Sequence, residues 1–287
     1  MHSDNIIYSY SIPAFVVLSI IEIIYLQHSL HEQKDKKEIF CSMSIGGVGI
    51  LSNLITNGMI LLLYSFLYSH RFFTYTIPTG WVWFLCFFAD DLSYYWYHRC
   101  SHEIRFFWAS HTVHHSPEDY TLAGGLRIPW TASISGSFIF WSWMPLVGFN
   151  PMMVLTMKAL SVIYQFWMHT ELINKLPNWF DTFFNTPYYH RVHHASDTLY
   201  LDKNHAGTLI IWDKMFGTFQ KEVFPPHYGL TKKIGSQNPF VIAFDGWKDL
   251  FNDCKKARSV KEFIYTLFKQ PSWRPKMNHH LTNMIID

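Results

Sequence analysis

The sequence predicts an all-α integral membrane protein with about five membrane-entering helices and a helical cap on the cytosolic side. Three observations predict it. Long apolar runs recur through the first 168 residues, basic residues collect on one side of those runs, and histidines recur at helical spacing on that same side. A content of 49% hydrophobic and 18% aromatic residues with 15% charged ones agrees, being unusual for a water-soluble enzyme.

A helix needs roughly 20 apolar residues to cross a bilayer. The first run is Ile6 to Leu26, interrupted only by Glu22; the second is Ile39 to Tyr68, without a charge. The third, Ile77 to Tyr97, carries Asp90 and Asp91 near its end. A fourth and fifth, about Trp130 to Phe149 and Pro151 to Met168, flank the turn-forming string Gly148-Phe149-Asn150-Pro151, so they read as a membrane hairpin. After Thr170 the chain turns polar. Lys232 to Asn238 reads as a loop, and the region from Phe240 onward as short amphipathic helices, with helical periodicity over Val260 to Phe268. One integral-membrane domain over 1–287 results: membrane helices over 1–97, a histidine-bearing region over 98–222 that includes the hairpin (about 130–168), and a cytosolic C-terminal segment over 223–287.

Threading five spans with the N-terminus outside places His28–Glu38, His98–Pro129 and everything from His169 onward on one face. These segments hold 3, 3 and 15 Lys and Arg, 21 of the chain's 23, and leave only Arg71 and Lys158 elsewhere. The positive-inside rule makes that face cytosolic, in the inner membrane of a bacterium or the endoplasmic reticulum of a eukaryote. A net charge of +2 without a dense basic patch argues against nucleic acid as a partner. Cys41, Cys86, Cys100 and Cys254 show no CxxC pairing and read as free thiols. The N-terminus lacks a basic n-region, so the first apolar run reads as retained, not as a cleaved signal.

Nine of the seventeen histidines fall into a repeated spacing: His98 and His102; His111, His114 and His115; His169; and His190, His193 and His194. Residues three and four apart share a helix face, so each group can aim its imidazoles at one point. Imidazole suits iron, zinc, copper and nickel, and nine ligands exceed one four-coordinate zinc site. The count fits two metal ions. A histidine-rich polar surface is the plain alternative, which the twofold HxxHH pattern in aromatic and basic settings disfavours. His169, alone at a helix end, is equally a polar terminus or a ligand; His205 is a weaker candidate, and the His279–His280 pair reads as polar tail. His2, His28, His31, His70 and His227 lie outside any ligand spacing.

Ligand histidines usually donate their other N–H to a carboxylate or carbonyl. Asp90 and Asp91, costly at a membrane end, are candidates for that role, as are Glu103 and Asp119; helix capping or pairing with Arg99 and Arg105 is the structural alternative. Asp202 and Asn204 would line the site without binding metal. A metal-transport or metal-sensing protein is the competing class, but it would want polar groups through the middle of several spans, and the second run has no charge. A zinc hydrolase of the H-E-x-x-H type fails on spacing, since Phe106 stands where the second histidine is needed.

The strings ADDLSYYWYHRCSHE, HTVHHSPEDYTLAGGLR and FNTPYYHRVHH, followed by DKNHAGTLIIWDKMFGTF, resemble the fatty acid hydroxylase/sterol desaturase superfamily of membrane non-haem di-iron enzymes. The motif context is most similar to its alkylglycerol monooxygenase branch and bacterial sterol desaturase-like relatives. The resemblance covers about Phe88 to Glu222. It implies two iron ions on the nine histidines, His169 included as the extra histidine between boxes, and O₂-dependent hydroxylation or desaturation of a lipid such as an ether lipid, a sterol or a fatty acyl lipid. It also implies electrons from a reduced pterin, another soluble reductant or a separate electron-transfer protein, because no fused cytochrome b5 domain is visible. The chain departs from the animal enzymes of that branch in being shorter, so the resemblance leaves the pterin requirement and the exact substrate open.

Overall fold

The computed structural model describes residues 2–275, with side chains from residue 10 onward. Two long helices come first: α1 (His2–Ser29) and α2 (Lys36–Ser69), the latter opened by Asp35, whose carboxylate accepts from Lys37 N–H at 2.8 Å. At 1.5 Å per residue α2 is about 51 Å long, well beyond the roughly 30 Å hydrocarbon core of a bilayer. The segment Tyr10–Ser29 and α2 are each long and apolar enough to cross a membrane. Their outward faces expose Val17, Ile21, Ile24, Leu51, Ile55 and Leu62, as helices solvated by lipid do.

α3 (Thr79–Glu103) is followed, after a break at Ile104 (φ −116°, ψ 117°), by α4 (Arg105–His115) and one turn, α5 (Leu122–Gly125). α3 meets the expected third run but turns a polar face inward: Asp90, Asp91, Ser93 and His98 are all buried. The expected fourth helix does not form. Trp130 to Phe149 is a series of turns, a 3₁₀ helix at Ser137–Trp141 and a single turn, α6 (Trp143–Leu146). Serine hydroxyls compete for its backbone, Ser135 Oγ donating to Ala132 O and Ser142 Oγ to Phe138 O, and Gly136 takes a left-handed φ of +90°. The apolar content of this stretch is spent on interior packing, with Trp141 and Met144 in one core with Tyr64, Cys86 and Val154.

The predicted turn is present. Gly148 has φ +104°, and a Cβ there would lie 2.4 Å from Phe73 O, so only glycine fits. Asn150 then caps α7 (Pro151–Phe166) through Met152 N–H at 2.9 Å, with Pro151 in the first turn. α7 spans about 24 Å by its sixteen residues, too short to cross alone, and it leans on α1, where Phe15 stacks on Phe166 at 4.0 Å.

Short helices carry the rest of the site: α8 (Asn178–Phe183), α9 (Pro187–His193) and α10 (Ile211–Phe216). α11 (Pro239–Lys256) and α12 (Val260–Phe268) close the described chain. α11 buries Ile242 and Ala243 against Cys41, Ile45 and Val113, tying the C-terminal segment to α2 and α4. Among the described residues there is no strand, only two isolated bridges, Phe184–Leu209 and Ala195–Tyr228. The four cysteines are unpaired.

Candidate metal centre

His98 and His102 lie one turn apart on the last turns of α3, and His111 and His115 one turn apart on α4. Because α3 and α4 meet at the Ile104 break, these two pairs face each other. α9 brings His190 and His193, with His194 as its C-cap, and His169 follows the end of α7. Gly125 makes room for His169: a Cβ at that position would lie 2.7 Å from the imidazole Cγ.

The nine histidines sort into two groups whose ligand atoms lie within 4.8 Å of one another: His98, His102, His111, His115 and His193 in one, His114, His169, His190 and His194 in the other. The grouping cuts across the sequence boxes. On α4, His111 and His115 point one way and His114 the other; α9 divides its triplet likewise. Each HxxHH string therefore bridges the two groups and fixes their separation.

The residues fit metal ions. His98 Nε2 is 3.0 Å from His111 Nε2; His169 Nε2 is 3.2 Å from His114 Nε2 and 3.1 Å from His190 Nε2, which is 3.2 Å from His194 Nε2. Metal–imidazole bonds of 2.0–2.1 Å place neighbouring ligand nitrogens about 2.9 Å apart at right angles and about 3.3 Å at tetrahedral angles. Nε2 of His102, His115 and His193 is buried and has no hydrogen-bond partner, a costly state for a polar atom unless a ligand takes it. Burial, with the neighbouring imidazoles next in effect, holds His98, His102, His114, His115, His190 and His194 well below the ordinary histidine pKa. Burial likewise pushes His111 down to about 3 and His169 and His193 to about 4. All nine are thus neutral near pH 7, the form that binds metal.

The outer hydrogen bonds of these imidazoles go mostly to backbone. Nδ1 of His98 donates to His205 O at 2.8 Å, that of His193 to Lys203 O at 2.8 Å, and that of His169 to Gln165 O at 3.0 Å. Each bond fixes the tautomer that leaves Nε2 free for metal. The carboxylates expected in this role have other partners. Asp90 accepts from Trp141 Nε1 at 2.7 Å, Glu103 pairs with Arg99 at 2.8 Å, and Asp119 accepts from Asp35 N–H at 3.0 Å. Asp91 accepts from the N–H groups of Thr208 and Leu209 and from Trp212 Nε1, at 2.7–2.9 Å. Of the six candidates, Asp202 is the one whose carboxylate pairs with a motif histidine, its Oδ1 3.6 Å from His102 Nδ1. Asn204 binds the carbonyls of Tyr189 and Gln220 through Nδ2, and Gln220 N–H through Oδ1.

Sequence reasoning missed Asp213. Fully buried, it accepts from the N–H groups of His205 and Ala206 at 2.8 Å and from Thr218 Oγ1 at 2.6 Å, and burial pushes its carboxyl up to about 6. With Asp91 it clamps the loop 203–209 that presents carbonyls to His98 and His193. The spacing of residues gives no hint of it, because its partners are backbone groups. His205 was underrated too: its ring is fully buried, with centroid 5.1 Å from that of His102. His28, His31, His70 and His227 lie apart from the centre and exposed, and His279 and His280 lie outside the described residues.

Three cavities reach the histidines, the smallest, of about 10 Å³, touching His114, His169 and His194 beside Tyr120 and Tyr228. An apolar cleft of about 150 Å³ runs between α1, α3 and α7, lined by Phe15, Tyr94, Tyr97, Ile128, Val162 and Phe166, and ends at His111, His114 and His169. A larger polar cavity of about 350 Å³ reaches His102, His115, His193 and His194 from the side of α11, between Arg105, Trp108, Asp245, Asp249 and Arg274.

Residues 83–218 match the family described as Fatty acid hydroxylase. The chain is 37% identical to human alkylglycerol monooxygenase over 82% of its own length and 52% of that protein, and 36% identical to the Danio rerio enzyme over 83% and 53%. An ornithine lipid hydroxylase of Rhizobium tropici is 25% identical over 50% of this chain and 44% of its own. The chain spans about half the length of the curated alkylglycerol monooxygenases it matches, and no solved structure matches it. All nine clustered histidines fall inside the segment 83–218 that matches the fatty acid hydroxylase family.

Proposed function

We propose that this chain is a membrane lipid hydroxylase that uses O₂ and external electrons, with two iron ions held by His98, His102, His111, His114, His115, His169, His190, His193 and His194. The observation that carries this reading is the convergence of nine neutral imidazoles in two groups, between an apolar cleft on one side and a polar cavity on the other. Iron, when bound, supplies the oxygen activation and C–H cleavage that no acid–base side chain provides. The chain's own residues do the rest. Phe15, Val162 and Phe166 at the cleft mouth accept an alkyl chain from the bilayer, and Tyr94 and Tyr97 hold it against His111, His114 and His169 while excluding water. Arg105, Trp108, Asp245 and Arg274 receive the electron donor, a separate protein or a soluble reductant such as a reduced pterin, without crossing the lipid's path.

Hydroxylation is favoured over desaturation because the matched relatives are named as a monooxygenase and a lipid hydroxylase, and an ether lipid is the first substrate to offer. The basic-residue distribution supports a cytosolic polar cavity. Purified, iron-loaded protein supplied with reductant, ¹⁸O₂ and ether lipids, sterols or fatty acyl lipids is expected to return a labelled hydroxylated product. A double bond without label would replace hydroxylation by desaturation, and turnover indifferent to O₂ would end the oxygenase reading. Protease protection in sealed vesicles is expected to place the α1–α2 loop and the C-terminal segment on one side.

A further inference from the structure

His205 stands outside every histidine spacing in the chain, yet its ring is fully buried and neither ring nitrogen has a hydrogen-bond partner. Its centroid lies 5.8, 5.1 and 5.6 Å from those of His98, His102 and His193. Those three are 4.3–5.3 Å from one another, so His205 flanks the five-histidine group, outside the set whose ligand atoms all lie within 4.8 Å of one another. A buried imidazole with both nitrogens empty is a cost that a packing role would not require, since a phenyl ring fills the same space without it.

The backbone is built to hold this ring in place. Asp202 and Asn204 take left-handed φ values of 56° and 55°, a conformation non-glycine residues seldom adopt and one that concentrates at functional sites. Asn204 is locked to Tyr189 and Gln220, the His205 N–H is held by Asp213, and the His205 carbonyl receives the Nδ1 proton of His98. One residue thus orients a member of the group through its carbonyl and turns its own ring toward that group.

We propose that His205 is a tenth histidine of the metal centre, giving a ring nitrogen to the ion of the five-histidine group; this rests on the metal centre proposed above. Six imidazoles would then surround that ion, and only four the other. The asymmetry matches the cavities. Two of the three histidines at the end of the apolar cleft, His114 and His169, belong to the four-histidine group. Catalytic metal sites keep an open position and structural ones are closed, so His205 closes the ion away from the lipid and leaves exchangeable positions on the one that faces it.

The test is cobalt(II) and iron binding to detergent-purified full-length protein, read by elemental analysis, visible absorption and X-ray absorption. In His205→Phe, one of two ions is expected to bind at least about tenfold more weakly, with a stronger cobalt d–d band as that ion loses a ligand and a lower nitrogen count at the metal. In His205→Ala, added imidazole is expected to restore the wild-type spectrum, an effect that packing alone would not produce. Two ions bound with unchanged affinity and spectrum in His205→Phe, whatever its melting temperature, overturns the role of His205 while leaving the centre standing. Wild-type protein that takes up no metal overturns the centre itself.

Discussion

α2 and the segment from His98 to Asp213 are both mostly helical, yet they answer opposite environments. α2 turns Leu51, Ile55 and Leu62 outward, 61%, 72% and 74% exposed, and buries eight of its 34 residues. Every residue of α9, by contrast, is buried, although its sequence is PYYHRVH. In α2 the outer face is left to a hydrocarbon solvent. Around the histidines each buried polar group must be assigned a donor, an acceptor or a metal. Substitutions on the lipid face should therefore be absorbed, and those in the histidine region should act on metal binding before they act on folding.

The strongest break in that contrast is loss of an imidazole. His193→Ala is expected to empty the five-histidine group and His190→Ala the four-histidine group, each lowering metal content toward one ion per chain and abolishing lipid turnover. Elemental analysis beside product assay checks both, with the His279→Ala/His280→Ala double variant expected to keep wild-type metal and activity. Loss of both ions in each single variant would mean that the groups fill cooperatively and not one by one.

Next comes Asp213→Asn. It replaces an acceptor of three hydrogen bonds by an amide whose NH₂ faces N–H donors, for a loss of about 3 kcal/mol. Because the clamped loop supplies the carbonyls for His98 and His193, metal affinity should fall with stability. Glu103→Gln, by contrast, removes only the partly exposed pair with Arg99 and should change the melting temperature little. Equal effects of the two would reduce the loop clamp to an ordinary surface contact.

Much of this was readable in the residues. Helical spacing marked the histidine strings, Gly-Phe-Asn-Pro the turn before α7, and the periodicity of Val260 to Phe268 an element whose bounds α12 shares. What was hidden follows a common physical rule. Trp130 to Phe149 has the hydropathy of a span, but serines, glycines and a proline deny it a regular ladder, and Trp141, Trp143 and Trp130 are anchored by hydrogen bonds to Asp90, Ser93 and the Ile45 carbonyl. The division of each HxxHH string between two groups depends on how α3, α4 and α9 meet, which no single string records. The partners of His98, His193 and His169 are main-chain carbonyls, invisible to any count of carboxylates, and His205 reaches the centre through two left-handed residues in a loop.

A smaller effect is expected at Gly125. Gly125→Ala would press a methyl group into the ring of His169, 2.7 Å from Cγ, and displace that ligand without removing it. Metal binding at the four-histidine group should weaken by about tenfold, while the five-histidine group keeps its ion. Gly58→Ala is the control, since a Cβ there meets nothing within 4 Å and mid-helix alanine is favoured over glycine by about 1 kcal/mol.

The smallest change tests the other side of the contrast. Ile55 sits midway along α2 with its side chain turned out. If lipid covers it, Ile55→Ala trades one hydrocarbon contact for another, leaves no cavity that the bilayer cannot refill, and should shift stability by no more than about 0.5 kcal/mol. The same truncation in a packed core costs about 2–5 kcal/mol, because a rigid surround leaves the void open. Ile60, five residues further along, on the opposite side of the helix and 5% exposed, supplies that reference within the same helix. Thermal unfolding of the two alanine variants in one lipid–detergent mixture makes the comparison direct. A loss at Ile55 as large as that at Ile60 would show that protein, and not lipid, packs against this face of α2, and the contrast between the two regions would have to be redrawn around a second chain.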